Sequence, residues 1–66
     1  MKHETLYAII VTDPFFGPSV LIDDNLKTLV SRIAGEWFED PHGFRELHNM
    51  TYKEARETVE RELKLA

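Results

Sequence analysis

Thr5-Leu6-Tyr7-Ala8-Ile9-Ile10-Val11-Thr12 is the stretch that decides the fold. Its β-branched and aromatic content, together with its shortness, favours a strand over a helix. Apolar residues stand on both parities, so both faces of the strand need cover, and that marks a central strand. Asp13-Pro14-Phe15-Phe16-Gly17-Pro18 breaks it with turn-forming residues. Ser19-Val20-Leu21-Ile22 then reads as a second short strand, most simply joined to the first as a hairpin over about 5–12 and 19–22.

Downstream, Leu26, Leu29, Val30, Ile33, Ala34, Trp37 and Phe38 follow one another at steps of three and one. Such spacing draws an apolar stripe along a helix, here expected over about 24–39. Asp23 or Asp24 is placed to cap its first turn. Gly35 costs about 1 kcal/mol relative to alanine inside a helix, which the stripe is expected to outweigh. Asp40-Pro41 ends it, because the residue before proline avoids helical torsions.

Residues 41–50 permit two readings. Phe44 and Leu47 stand three apart, as in a single helical turn, which is the favoured reading; Phe44, Glu46 and His48 alternate as in an edge strand. Thr51-Tyr52-Lys53-Glu54 is a capping box. It opens a second helix over about 52–65, with a thin stripe of Tyr52, Ala55, Val59 and Leu63. Lys53–Glu57, Arg56–Glu60, Glu57–Arg61 and Glu60–Lys64 stand four apart on its wet side.

These elements define one small two-layer α+β domain over 1–66, with a core expected from Leu6, Ile9, Val11, Leu21, Leu29, Val30, Ile33, Phe44, Val59 and Leu63. A two-stranded sheet is marginal alone, so either a third strand is present or the hairpin edge pairs with another copy.

Composition narrows the function classes. The 66-residue chain is 42% hydrophobic and 30% charged, as in ordinary globular domains. It has no cysteine, which excludes disulfides, thiolate zinc sites and a cysteine nucleophile. The longest apolar run, Leu6 to Val11, is far short of the ~20 residues of a membrane span. Met1-Lys2-His3-Glu4 lacks the build of a signal peptide, so the cytoplasm is the expected compartment.

The net charge of −4 argues against direct nucleic-acid binding. Most of the excess lies over residues 23–40, where Asp23, Asp24, Glu36, Glu39 and Asp40 face only Lys27 and Arg32.

Signals for chemistry are weak. His42 and His48 are six apart, not the three or four of helical metal pairs, and no metal or cofactor is expected. Ser19 lacks a nucleophile elbow, Asp13 and Asp23 form no recognisable acid–base couple, and the three glycines are isolated. Asn49-Met50-Thr51 fits a glycosylation pattern, but Thr51 is better explained as a helix cap. An enzyme is not expected.

Surface for binding a protein remains. Glu36, Glu39 and Asp40 around Trp37-Phe38 would oppose the negative end of the first helix, an arrangement that suits a basic partner rather than helix stability. Trp37 would be the anchor of such a site, although Trp37 and Phe38 also read as the plain end of the core stripe. Phe15-Phe16, held between prolines, cannot both turn inward, so one is expected near the surface.

The leading expectation is therefore a non-enzymatic module that inhibits or modulates a larger cytoplasmic protein with a basic or apolar surface. Its contacts would be Phe15, Phe16, Glu36, Trp37, Phe38, Glu39 and Asp40. In kind, though on no particular residues, the profile resembles the small inhibitor and adaptor proteins of bacteriophages and mobile elements. A second expectation is nucleic-acid mimicry by Asp23, Asp24, Glu36, Glu39 and Asp40. A third is structural, a homodimer or larger assembly built through the hairpin edge.

Overall fold

The computed structural model describes residues 1–35 and 38–65, with β1 (His3–Asp13), β2 (Gly17–Asp23), α1 (Leu26–Gly35), β3 (Glu39–Met50) and α2 (Tyr52–Leu65) in chain order. The strands form an antiparallel sheet of order β2-β1-β3. The class is α+β, a hairpin and two helices, as expected.

β1 behaves as its composition requires. Leu6, Ala8 and Ile10 join Val20, Ile22, Ala55 and Val59 in one buried cluster, on the face covered by α2. Ile9 and Val11 join Leu21 and Leu29 in another, on the face covered by α1. Each helix thus takes one face, so the sheet is sandwiched between helices rather than lying in two layers. The core gains Ala8, Ile10, Val20, Ile22 and Ala55, all buried. It loses Val30 and Phe44, which are 56% and 50% exposed.

The hairpin register pairs Asp13 with Gly17 and leaves a three-residue turn. Gly17, at φ 83°, supplies the left-handed residue such a turn needs. Asp13 Oδ1 accepts hydrogen bonds from the amides of Phe15 (2.7 Å) and Phe16 (3.1 Å), which fixes the turn from within.

α1 starts two residues later than the sequence suggests, and its cap is Asn25 rather than Asp23 or Asp24. Asn25 Oδ1 accepts from the Thr28 amide at 3.1 Å, while Asp23 Oδ1 accepts from the Asn25 amide at 2.9 Å. The aspartate shapes the turn that presents the cap. The helix is described over Leu26–Gly35, and Glu39 already belongs to β3. Glu39 and Asp40 therefore do not stand in a helical turn, and the dipole argument does not apply to them.

Residues 41–50 form no helical turn; they lie within β3, the edge-strand reading. β1 has a second row of backbone groups that needs partners, and satisfying that row outweighs the local preference of one short turn. Pro41 is tolerated because β3 is an edge strand. Two register shifts interrupt the β1–β3 pairing, between Ala8 and Ile10 and between Ile10 and Thr12. Gly43 (φ 67°) lies opposite the first and Asp40 (φ 48°) opposite the second, so each irregularity has a left-handed residue to absorb it.

α2 begins as read. Thr51 N donates to Glu54 Oε1 at 3.0 Å, and Glu54 N donates to Thr51 Oγ1 at 3.1 Å. Met50 packs against the cluster that contains Ala55, a hydrophobic staple across the cap. Tyr52 closes the same end of the molecule. Its hydroxyl accepts from the Asp24 amide at 3.1 Å, and its ring meets His3 edge-on at 4.8 Å. Desolvation, with the Asp24 carboxylate second, raises the Tyr52 pKa. On the α2 face Arg45 pairs with Glu62, tying β3 to the helix.

Two substitutions test this architecture. Gly43→Ala strains a left-handed residue and brings its Cβ to 3.1 Å from Ile10 Cδ1. It should lower stability by about 1–2 kcal/mol, read as a urea midpoint shift. Thr51→Ala should cost about 0.5–2 kcal/mol. Thr51's backbone and hydroxyl hydrogen bonds hold the Glu54 carboxyl below its ordinary pKa. A depressed carboxylate pKa stabilises the fold above the usual glutamate range and loses that contribution as pH falls through the folded value. The stability gap between wild type and Thr51→Ala should therefore narrow in acid, measured by urea titrations across that range.

Candidate functional site

The residues nominated from sequence gather at one end of the sheet more than their spacing suggests. β3 runs antiparallel to β1 and pairs Glu39 with Thr12, the residue before Asp13. The start of β3 is thereby set beside the hairpin turn. Phe15 and Phe16 are 78% and 87% exposed at that turn, and Glu39 and Asp40 are exposed on the neighbouring strand. Glu36 and Trp37 lie outside the described residues. Phe38 is half-buried and packs on the cluster of Ile9, Val11, Leu21 and Leu29. Its ring anchors the start of β3 to the body, and the two turn phenylalanines carry the exposed aromatic surface.

Of the two turn phenylalanines, one of which is expected at the surface from sequence, both reach it. The geometry responsible is the pair of amides that Asp13 accepts. They hold residues 15 and 16 in a tight turn that leaves neither ring within reach of the sheet. A turn fixed in this way has little backbone conformational entropy left to lose on binding.

Beside this tip an open groove of about 580 Å³ runs between β2 and the last turns of α2. Leu21, Phe38 and Leu63 make its apolar wall, and Asp13, Arg56, Glu60 and Lys64 supply charge of both signs. Arg56 donates to the Val20 carbonyl at 3.3 Å and lies 3.9 Å from Glu60, so its guanidinium is held across the groove. No sequence pattern announces this groove, since its residues come from four separate segments.

A second area was missed by pattern reading. α1 buries only Leu29 fully, and leaves Leu26 and Val30 at 43% and 56% exposure. On the same side of the sheet Phe44 stacks on Tyr7, centroids 6.2 Å apart and planes at 20°. The helix leans over β2, and on the β3 part of that face Phe44 is left half-exposed.

The other candidates separate. Asp23 pairs with Tyr7 and Glu39 with Thr12, five residues apart along β1, so the nominated carboxylates divide between opposite ends of the sheet. His48 lies opposite Thr5, with Nδ1 3.4 Å from its hydroxyl, while His42 lies opposite Ile10 on the α2 face, with Nδ1 2.7 Å from the Asp40 carbonyl. The two imidazoles thus face opposite sides of β3. Thr51 is occupied as the α2 cap. No helix among the described residues is long and apolar enough to cross a membrane.

The chain matches no protein-family profile, and comparison with curated proteins and with solved structures returns no significant similarity. The functional reading therefore rests on the geometry alone.

The division between anchoring and exposed aromatics has a direct check. Phe15→Ala and Phe16→Ala should each change stability by no more than about 0.5 kcal/mol. Phe38→Ala should cost more than about 1 kcal/mol, because it opens a space against a buried cluster. Thermal or urea denaturation of the three variants distinguishes them.

Proposed function

We propose that this protein is a non-enzymatic binding module that inhibits or modulates a larger cytoplasmic protein, in the manner of small phage or mobile-element effectors. The hairpin tip is its leading contact. One observation carries the reading: two adjacent phenylalanines stand almost fully exposed on a turn whose backbone is held by Asp13. Exposing two large aromatic side chains gives up roughly 1.5–3 kcal/mol of burial each. Paired, rigid, exposed aromatics are a common composition for the centre of an interface.

Glu39 and Asp40, on the strand beside the tip, form an acidic rim that suits a partner with basic residues around an apolar cleft. Glu36 and Trp37 belong to this reading on sequence grounds only. Protein contact is favoured over nucleic-acid mimicry because the carboxylates do not form one continuous line. Asp23 is moreover engaged with the Asn25 amide at the far end.

The test compares affinity capture by the wild type and by a Phe15→Ala/Phe16→Ala double variant. The wild type should retain a stoichiometric partner, and the double variant should lose at least roughly tenfold in affinity with an unchanged melting temperature. Equal capture of the same partner by both forms would overturn the assignment of the tip.

A further inference from the structure

The sheet has two free edges, and they are protected unequally. Exposed strand edges are templates for pairing with another chain, and natural proteins blunt them with proline, short strands, bulges or covering side chains. β2 spans only Gly17–Asp23, contains Pro18, and has its Val20 carbonyl capped by Arg56. The first half of β3 contains Pro41 and the irregularities at Asp40 and Gly43. The second half, Phe44-Arg45-Glu46-Leu47-His48, has none of these, and the left-handed Asn49 (φ 56°) lies just beyond it. It pairs regularly with β1 on its inner side from Arg45 to His48.

We propose that this segment of β3 pairs antiparallel with the same segment of a second copy, giving a two-fold dimer with one continuous six-stranded sheet. The proposal is independent of the hairpin-tip reading, since the tip lies outside the paired segment.

Symmetry and charge select the register. Two strands related by a two-fold axis perpendicular to the sheet keep their faces, so one residue must meet its own copy and its neighbours pair symmetrically about it. Centring on Arg45 or on Glu46 sets like charges directly opposite each other, which is destabilising. Centring on Phe44 extends the pairing into the irregular half of the strand. Centring on Leu47 places Leu47 against Leu47 of the second copy. It also places Glu46 opposite His48 of the second copy, and His48 opposite its Glu46.

Glu46 and His48 are exposed and lie on one face, where their β1 neighbours are Tyr7 and Thr5. Arg45, on the opposite face, is already paired with Glu62 and brings no unpaired charge to the seam. The stacked Tyr7–Phe44 pair lies beside the junction. Because the strands run antiparallel, the two hairpin tips point to opposite ends of the dimer, and a tip-binding partner would meet a bivalent ligand.

The experiment is sedimentation equilibrium of the full chain up to about 0.5 mM, with thermal melts of every variant. Wild type should show a concentration-dependent dimer. Glu46→Lys and His48→Glu should each weaken it roughly 3- to 30-fold, since symmetry counts every cross-strand pair twice. The double variant Glu46→Lys/His48→Glu restores opposite charges in the Leu47-centred register alone, and should recover most of the loss. If a charge reversal lowers the melting temperature into the assay range, Glu46→Gln and His48→Gln take its place, with weakening in the same direction. A strict monomer at the highest concentration overturns the proposal. So does a dimer indifferent to these substitutions, or one that the double variant fails to restore.

Discussion

Covering both faces and both edges of β1 is the constraint on which the rest of the molecule depends. Leu6, Ala8 and Val11 are completely buried, and they point to opposite sides of the sheet. One helix cannot cover two faces, so α2 takes the even-numbered residues and α1 the odd. Backbone groups on both sides of β1 also need partners, and the hairpin provides only one side. β3 provides the other, and in doing so carries Glu39 and Asp40 to the hairpin tip. The location of the candidate site is therefore a consequence of how the central strand is satisfied.

Much of this was legible from local pattern. The hairpin, the amphipathic character of both helices and the Thr51–Glu54 box are each encoded within a few residues, by parity, by period or by cap chemistry. β3 was less legible because Pro41 and Gly43 interrupt its alternation, and the bulges that accommodate them exist only in relation to β1. The cap of α1 was misread for a related reason. Two aspartates and an asparagine stand in a row, and only the turn geometry distinguishes the residue that shapes the turn from the one that caps the helix. Helical spacing alone also overstated α1: of its stripe, Leu29 is buried, while Leu26 and Val30 look outward because the helix lies over β2 and not over the sheet centre.

For the candidate site the same division applies. Pattern reading nominated Phe15, Phe16, Phe38, Glu39 and Asp40, and β3 brings them to one end of the sheet. It read Phe38 both as a contact residue and as the end of a helical core stripe, and so did not by itself separate this strand anchor from Phe15 and Phe16, which face water. The discriminating information is tertiary: a buried cluster beneath Phe38, and an aspartate that folds the turn away from any such cluster. The groove beside the tip and the open edge of β3 are likewise products of assembly, with no signature in any single segment.

The central claim is that β1 is paired on both edges, with residues 39–50 as its second partner. Native-state hydrogen exchange read by NMR tests it directly. Successive amides of an antiparallel strand point to alternate sides, so in a central strand consecutive amides are all protected. The account predicts that Tyr7, Ala8 and Ile10, each paired with both neighbouring strands, all exchange slowly, at rates approaching those of global unfolding. If the amides of one parity among them instead exchange as freely as an exposed loop, β1 lacks its second neighbour and the fold described here is contradicted.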